Sequence, residues 1–143
     1  MLKTILIVDD DPDAVDLFRL ALKEAGYATR TAKSGAEALS KAQRSPPDLV
    51  VLDVVLPDIN GLTVCERLRR DPATASVPVI LVTIVPGEFP RLVGMEAGAD
   101  AYLHKPFHIE ELISRVASVL GRTNAPVFGP RPYQELTVQR ELA

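Results

Sequence analysis

The sequence predicts an α/β fold with a parallel sheet, and three observations support that fold class. Short apolar runs alternate with segments of helical period, which gives five successive β-α units. Two of the runs, Ile5–Val8 and Leu49–Leu52, are apolar throughout, as is typical of strands buried on both faces of a parallel sheet. The chain has 143 residues, of which 47% are hydrophobic and 24% charged. That length and composition suit one globular domain and exclude a disordered, collagen-like or disulfide-framework protein.

The first β-α unit begins with the strand Ile5–Val8, and a well-marked helix follows it. Asp11 is predicted to cap this helix, with Pro12 at the first helical position, where a missing N–H costs nothing. The helix is expected to end at Gly26. Polar residues interrupt the next run, Tyr27–Thr31, so we expect it to form a strand at the edge of the sheet.

A capping box opens the second helix, because Ser34 is followed three residues later by Glu37. The strand Leu49–Leu52 is the most hydrophobic, which predicts a central position in the sheet, and it leads directly into Asp53. Residues 57–61 have the composition of a turn, and a third helix is expected after them.

Four further elements complete the predicted order. They are a buried strand over Val77–Val82, a short helix over Arg91–Ala97, a last strand at Tyr102–Leu103 and an amphipathic helix over Ile109–Leu120. Pro86 and Gly87 predict a loop before the short helix, which is expected to end at Gly98 and to be weakened by Gly94.

The composition changes near residue 121, which divides the chain into two predicted parts. Residues 1–121 hold all five β-α units and form one domain. In residues 122–143, Pro126, Gly129, Pro130 and Pro132 lie close together. We therefore expect a C-terminal tail or a truncated linker there.

Charge and cysteine content limit the compartments and partners to be considered. The net charge of −3 argues against direct nucleic acid binding by this chain, since domains that bind nucleic acid alone usually carry a basic face. Cys65 is the single cysteine, which fits a reducing compartment. No apolar stretch approaches the roughly 20 residues of a membrane helix, and no signal peptide is recognisable. We expect a cytoplasmic protein that makes no membrane contact.

Five polar residues follow the predicted strands at one edge of the sheet, where open α/β sheets bind their ligands. They are Asp9, Asp10, Asp53, Thr83 and Lys105. Taken singly, an aspartate at a strand end is more often a helix cap or a turn residue. Because these residues occur at the ends of successive strands, they together predict a site.

Three neighbouring carboxylates repel one another, so the pKa of at least one would be raised unless a cation lay between them. Oxygen ligands without histidine or cysteine suit Mg²⁺, which typically takes one or two carboxylates and a phosphate oxygen. One carboxylate would remain as a nucleophile toward phosphorus, and Thr83 and Lys105 would lie where negative charge grows on the phosphoryl oxygens.

These residues resemble the receiver domain of two-component response regulators. The resemblance rests on the five residues above, on residues 56–61 (Leu-Pro-Asp-Ile-Asn-Gly) and on residues 99–107 (Ala-Asp-Ala-Tyr-Leu-His-Lys-Pro-Phe), and it extends from Leu2 to Gly121 in order and spacing. No single piece is specific, but the ordered set is. It implies an open, doubly wound five-stranded parallel sheet with helices on both faces, the flavodoxin-like receiver fold.

The resemblance also implies a role for each site residue. Asp53 would be the phosphoacceptor, and Asp9, Asp10, Asp53 and the backbone carbonyl of Val55 would hold Mg²⁺. Lys105 would pair with the phosphoryl oxygens, and Pro106, after a cis peptide bond, would orient it. Thr83 and Tyr102 would be the switch residues, with Thr83 moving toward the phosphoryl group and Tyr102 swinging inward.

Partners follow from the same resemblance. A sensor histidine kinase or a phosphotransfer protein would supply the phosphoryl group, and the domain would assist its own phosphorylation and dephosphorylation without being an enzyme in the ordinary sense. The output would be a downstream protein target or an output domain absent from this sequence. A homodimer through the fourth helix, fifth strand and fifth helix is a further expectation.

The chain departs from the family pattern after the switch threonine, where a small residue is usual and Ile84 stands here. Ile84 could narrow access to Asp53, or it could simply pack in the core. Val55 and Val85 beside the expected water path offer no group to orient an attacking water. We therefore predict a long-lived phosphoaspartate.

Other polar residues have simpler interpretations. His104 is expected to face outward, His108 to lie at the start of the last helix, and Cys65 to be a buried small hydrophobe. Arg67, Arg69 and Arg70 are expected to form a solvated face of the third helix.

Two alternative functions stay open. One is an interaction module with the receiver fold but without productive phosphorylation, which Ile84 would explain. The other is a phosphatase of the haloacid-dehalogenase type with Asp9 as nucleophile, although Pro12 and the short chain disfavour it.

Overall fold

Strands and helices alternate along the chain, as predicted. The computed structural model describes residues 2–84 and 93–122. In chain order, the elements are β1 (Thr4–Val8), α1 (Pro12–Glu24), β2 (Ala28–Ala32), α2 (Gly35–Arg44), β3 (Leu49–Asp53), α3 (Gly61–Arg70), β4 (Val79–Thr83), helical residues 93–96 (α4), β5 (Ala101–His104) and α5 (Ile109–Arg122). The predicted loop at Pro86–Gly87, the start of the predicted helix at Arg91 and the tail from residue 123 lie outside the described residues.

The five strands form one parallel sheet in the order β2-β1-β3-β4-β5. The predicted fold class is therefore confirmed, with β3 at the centre and β2 at one edge. Side chains alternate between the two faces of each strand. Leu6, Val50 and Leu81 contribute to the core cluster that includes residues of α2 and α3, while Ile7 and Val51 belong to the cluster under α1 and α5.

Side-chain caps fix where the helices begin, and this places the loops at the carboxyl edge of the sheet. The predicted caps are present, since Asp11 accepts a hydrogen bond from the Asp13 N–H (3.0 Å) and Ser34 accepts one from the Glu37 N–H (3.1 Å). A third cap, Asn60, accepts from the Leu62 N–H at the start of α3 (2.8 Å). The sequence analysis treated Asn60 only as part of a turn.

Glycines end two of the helices. Gly26 and Gly98 have φ values of 100° and 102°, the left-handed conformation that glycine adopts without steric cost. Gly94 lies within the helical residues 93–96, where it was expected to weaken the helix. A Cβ at Gly94 would lie 2.7 Å from Cδ1 of Leu81, so the glycine allows α4 to approach β4 closely.

The start of β4 differs from the prediction by two residues. The N–H of Val77 donates to the carbonyl of Thr74 in a turn (3.1 Å), so the strand begins only at Val79. At its other end the strand includes Thr83, which the apolar pattern did not predict as a strand residue. In residues 2–84 and 93–122, no helix combines the length and apolarity needed to cross a bilayer.

Arg69 corrects the expectation of a solvated basic face on α3. Arg67 and Arg70 are exposed, as expected, but the guanidinium of Arg69 pairs with the buried carboxylate of Asp100 at 2.8 Å. Its Nε also donates to the carbonyl of Gly98 (2.9 Å). Arg69 therefore joins the end of α3 to the turn before β5.

The two histidines and the cysteine follow their predictions only in part. His104 was expected to face outward but is half-buried, and its Nε2 is buried with no hydrogen-bond partner among the described residues. His108 is exposed immediately before α5, as predicted. Cys65 is fully buried, and burial raises the pKa of its thiol to about 11, which agrees with an inert hydrophobic role.

Candidate functional site

Neighbouring strands bring the predicted site residues to one edge of the sheet. Asp9 and Asp10 follow β1, Asp53 ends β3, Thr83 ends β4 and Lys105 follows β5. Because β1, β3, β4 and β5 are adjacent in that order, their carboxyl ends form a continuous row. The strand ends that carry the predicted residues are therefore adjacent in the structure.

Three carboxylates form the centre of this site. One oxygen from each of Asp9, Asp10 and Asp53 lies within 4.8 Å of the others. Asp9 is 2% exposed and Asp53 is 9% exposed, whereas Asp10 is open to solvent. The cluster is thus buried on one side and accessible on the other.

Lys105 approaches the cluster from the loop after β5. Its Nζ lies 3.1 Å from Oδ2 of Asp9 and 3.4 Å from Oδ2 of Asp53. Burial alone would lower the pKa of Lys105, but its hydrogen bond to Asp9 and the charges of Asp53 and Asp9 outweigh that effect and raise it. Lys105 is therefore held as an ammonium between the two buried carboxylates.

Asp53 is the carboxylate whose charged form is least well compensated. Burial raises its pKa, a backbone hydrogen bond from Val55 opposes the rise, and the neighbouring Asp9 adds to it. Lys105 lowers the pKa, and the balance leaves Asp53 at about 6. Asp53 is consequently charged at neutral pH but at a free-energy cost that a further cation would relieve.

The donor set suits a hard divalent cation. Among these four groups, three carboxylates and one ammonium leave two negative charges uncompensated at neutral pH. All the candidate ligand atoms are oxygens, and Asp10 is solvent-exposed, so a cation could keep part of its water shell. Such a site fits Mg²⁺.

The backbone around Asp53 is fixed by contacts from two directions. The Val55 N–H donates to Oδ1 of Asp53 (3.0 Å), and the Val54 N–H continues the β3–β4 ladder by donating to the Val82 carbonyl (2.9 Å). The Gly61 N–H donates to the carbonyl of Val54 (2.8 Å). A Cβ on Gly61 would collide with the carbonyl oxygen of Asp53, so only glycine lets α3 begin this close to the strand end.

Thr83 and Tyr102 are both buried in this structure. Thr83 is 0% exposed, and its carbonyl accepts the backbone N–H of Lys105 (2.7 Å), which ties β4 to the loop carrying the ammonium. Tyr102 is 2% exposed and belongs to the same core cluster as Leu81. The movements predicted for Thr83 and Tyr102 on phosphorylation stay predictions.

The loop after β5 contains the predicted cis peptide bond between Lys105 and Pro106. The next residue, Phe107, stacks on Phe18 of α1, with ring centroids 5.8 Å apart. The aromatic pair joins this loop to the helix that follows Asp9 and Asp10.

Two apolar side chains lie exposed at the same edge of the sheet. Val55 is 52% exposed and Ile84 is 65% exposed. The alternative in which Ile84 packs in the core is therefore wrong. Val85 lies outside the described residues, so the effect predicted for it is not examined by the structure.

Asp58 is a contributor that the sequence analysis missed. Its carboxylate accepts hydrogen bonds from the backbone N–H groups of Gly35 (2.8 Å) and Ala36 (2.9 Å). Hydrogen bonds from Ala36, Gly35 and Ile59 lower the pKa of Asp58. The available signal was the turn composition of residues 57–61, which does not indicate a partner 22 or 23 residues away.

Known proteins with similar sequences share this arrangement of elements. Residues 5–117 match the family model of the response regulator receiver domain. The DNA-binding dual master transcriptional regulator RpaA of Synechocystis is 44% identical over 120 residues, which cover 84% of this chain and 50% of that protein. The alkaline phosphatase synthesis transcriptional regulatory protein PhoP of Bacillus subtilis is 42% identical over 123 residues, covering 86% and 50%. The chain spans about half the length of these relatives.

Solved structures agree with the sequence matches. A response regulator receiver domain protein (CheY-like) from Methanospirillum hungatei has a TM-score of 0.81 at 30% identity, covering 86% of this chain and 97% of that one. A two-component response regulator from Clostridium difficile has a TM-score of 0.80 at 31% identity, with coverages of 86% and 99%.

Proposed function

Because the chain belongs to the response regulator receiver family of two-component systems, we propose that Asp53 accepts a phosphoryl group in a Mg²⁺-dependent reaction and thereby switches a partner-binding surface. One observation carries the proposal. Asp9, Asp10 and Asp53 form an acidic cluster with Lys105 beside it, so a metal site, a nucleophile and a fixed positive charge meet at one edge of the sheet.

Asp53 is the carboxylate best placed to act as the nucleophile. Both oxygens of Asp9 are engaged at short distances, by the Asp11 N–H (2.9 Å) and by Lys105 (3.1 Å). In contrast, the contact of Oδ2 of Asp53 within the described part of the chain is the longer one of 3.4 Å with Lys105. These contacts disfavour the alternative in which Asp9 is the nucleophile of a phosphatase.

The transfer itself exchanges one bond for another. An oxygen of Asp53 attacks phosphorus of a donor phosphohistidine or small acyl phosphate, the P–O bond to Asp53 forms, and the bond from phosphorus to the donor breaks. The donor nitrogen or oxygen leaves with the bonding electron pair. When bound, Mg²⁺ would neutralise charge on the phosphoryl oxygens.

The residues that would hold Mg²⁺ are Asp9, Asp10, Asp53 and the carbonyl of Val55. Asp9 is kept in place by its hydrogen bond from Asp11, and the Val55 backbone is kept close to Asp53 by its N–H contact with Oδ1. These contacts fix the ligand atoms before a metal arrives, which reduces the ordering that binding requires.

Lys105 and Thr83 would receive the added charge. A phosphoryl group adds about −1.5 to −2 charges, and the Lys105 ammonium is the cation already in contact with Asp53. Pro106 orients the loop that carries Lys105. Thr83 ends the neighbouring strand and would turn its hydroxyl toward the phosphoryl group, while Tyr102, which lies against the same strand in the core, would transmit the change to the surface of α4, β5 and α5.

A sensor histidine kinase or a phosphotransfer protein would supply the phosphoryl group, and a downstream target would read the switched surface. RpaA is described as DNA-binding, but the chain covers only half of that protein, so residues 1–121 would act as the receiver domain and pass the signal on. Pairing of two copies through α4, β5 and α5 is one form that this output could take. The single cysteine supports action in the cytoplasm.

Intact-mass measurement after incubation with acetyl phosphate and Mg²⁺ tests the proposal. We expect one phosphoryl adduct, which is lost in Asp53→Asn and in a metal-free control. If Mg²⁺ and beryllofluoride leave the fold unchanged and no adduct forms, the chain is instead an interaction module without productive phosphorylation, the alternative that the exposed Ile84 keeps open.

A further inference from the structure

We infer that Asp58 is a positioning residue that fixes the loop carrying the Val55 carbonyl and so sets the affinity of the site for Mg²⁺. The inference rests on the proposed function, because it assigns that carbonyl to the metal. Asp58 itself lies three residues beyond Val55, at an exposed position outside the acidic cluster.

The contacts of Asp58 connect two elements that are distant in sequence. One carboxylate oxygen accepts the Gly35 N–H (2.8 Å) and the other accepts the Ala36 N–H (2.9 Å), both in the first turn of α2. These N–H groups have no acceptor within the helix, and the positive end of the helix dipole favours an anion there. The loop after β3 is thereby attached to α2.

The close fit of Gly35 shows that this attachment leaves little freedom. A Cβ at Gly35 would lie 2.9 Å from Cγ2 of Val64, 3.0 Å from Cβ of Ile59 and 3.4 Å from Oδ1 of Asp58. The start of α2 therefore packs against both the loop and α3, and an altered loop path would break these contacts.

The segment between the two fixed ends of the loop needs such an attachment. Val54 is held by its hydrogen bonds with Val82 and Gly61, but Val55, one residue later, is 52% exposed and gains little from packing. Leu56 is half-buried against the core, and Asp58 is the next residue whose side chain hydrogen-bonds to another element. The carbonyl of Val55 lies between these two anchors.

Asp58 could act only by stabilising α2, without positioning the loop that carries Val55. A variant of Ser34, a second cap of the same helix, distinguishes these two roles. Ser34 accepts the Glu37 N–H in the same turn of α2, a contact that involves no residue of the loop after β3. Ser34→Ala removes this cap, and Asp58→Asn replaces one acceptor oxygen by an amide that cannot accept an N–H.

Isothermal titration of the full chain with MgCl₂ provides the test, with thermal melts recorded for each variant. We expect both variants to melt at a lower temperature. Asp58→Asn should also weaken Mg²⁺ binding by about tenfold, since loss of a residue that supports metal ligands commonly has an effect of this size. Ser34→Ala should keep the Mg²⁺ affinity of the unaltered chain to within about twofold. Hydrogen exchange without metal should be faster at residues 55–59 in Asp58→Asn only.

The outcomes separate this inference from the proposed function. If the unaltered chain does not bind Mg²⁺, the proposed function fails. If the unaltered chain binds Mg²⁺ and Asp58→Asn binds it equally well, the positioning role alone is overturned. An equal loss of affinity in Ser34→Ala overturns it too, because the effect then follows the stability of α2.

Discussion

The two edges of the sheet each carry a cluster of charged side chains, and the clusters differ in how completely their charges are paired. At the carboxyl edge, the cluster consists of three carboxylates, Asp9, Asp10 and Asp53, and one ammonium, Lys105. Lys105 contacts Asp9 and Asp53. Two negative charges are left uncompensated, and burial, together with the charge of Asp9, raises the pKa of Asp53.

At the amino edge, the charges of the cluster are balanced. Arg69 pairs with Asp100 at 2.8 Å and donates its remaining N–H groups to the carbonyls of Gly98 and Val77. The same Asp100 oxygen accepts the Val79 N–H (2.8 Å). Here a positive charge meets a negative charge at short distance, and backbone groups provide further hydrogen bonds to both.

The difference shows what distinguishes a structural charge cluster from a reactive one. A buried pair is tolerated when each charge has a partner and its other hydrogen bonds are made, and such a pair has no reason to bind anything further. An open cluster with excess negative charge gains free energy by binding a cation. The same sheet thus carries a structural clamp at one edge and a candidate cation site at the other.

Breaking the balanced cluster should have the largest effect on stability. Arg69→Met removes the guanidinium that pairs with the buried carboxylate of Asp100, which is 5% exposed. Because losing the partner of a buried charge is costly, we expect the free energy of unfolding to fall by about 2–3 kcal/mol. Urea denaturation measures this loss, and Mg²⁺ affinity should be unchanged because the metal site lies at the other edge.

Arg70→Met is the matched control for this prediction. Arg70 is the next residue of α3, its side chain is 80% exposed, and its nearest acidic oxygen on Glu66 is 3.9 Å away. An exposed pair of this kind contributes at most about 0.5 kcal/mol. If both arginine variants lose the same stability, the amino-edge cluster is not a clamp.

The two clusters also differ in how far they were predictable from the sequence. Asp9, Asp53 and Lys105 follow predicted strands, and parallel strands place their carboxyl ends together, so the order of elements was sufficient to predict the site. Arg69 and Asp100 are 31 residues apart, and nothing in the local pattern of α3 separates Arg69 from its exposed neighbours. The pairing of Arg69 with Asp100 depends on tertiary packing, so the sequence pattern of α3 does not indicate it.

Similar reasons explain the other differences. The start of β4 was predicted too early because Val77 is apolar, although its N–H is used in a turn. Asp58 was interpreted as a turn residue because its partners lie on α2, more than 20 residues away. Ile84 is apolar yet exposed, since it follows the end of β4 at the edge of the sheet.

Neutralising the open cluster should stabilise the metal-free protein. The folded-state pKa of Asp53, about 6, lies above its ordinary value of 3.8, so the folded protein binds a proton that the unfolded chain releases between those pH values. The stability linked to this group is fully present below about pH 4 and is lost as pH rises through 6. We therefore expect Asp53→Asn to be more stable than the unaltered chain by about 1–2 kcal/mol at pH 8. This difference is smaller than the pKa shift of Asp53 alone would give, because water reaches one side of the site and screens its charges.

Urea denaturation in EDTA at pH 4.5 and pH 8 checks the sign of this effect. The advantage of Asp53→Asn should be small at the lower pH and should appear as pH rises. Adding Mg²⁺ at pH 8 should stabilise the unaltered chain more than the variant. Equal stability of the two proteins at pH 8 in EDTA would contradict the view that the carboxyl edge carries uncompensated charge.

The smallest effect is expected at the apolar rim of the open cluster, where Val55 and Ile84 follow the neighbouring strands β3 and β4. Neither side chain can orient a water molecule toward a phosphoryl group on Asp53, and Ile84 adds bulk beside the path to that group. We expect the phosphoaspartate to persist for hours in Mg²⁺ buffer. Ile84→Ala should speed phosphorylation by acetyl phosphate by roughly threefold, which corresponds to a decrease of less than about 1 kcal/mol in the activation free energy.

Leu20→Ala is the control for this last prediction, since Leu20 is similarly exposed (57%) but lies on α1 and not at the end of a strand. Time courses of intact mass give both the rate of adduct formation and, after removal of acetyl phosphate, the rate of its loss. Loss of the adduct within seconds would show that water reaches Asp53 freely. An unchanged rate of adduct formation in Ile84→Ala would show that the exposed isoleucine does not obstruct the approach to Asp53. The two edges of the sheet would then differ only in how their charges are paired.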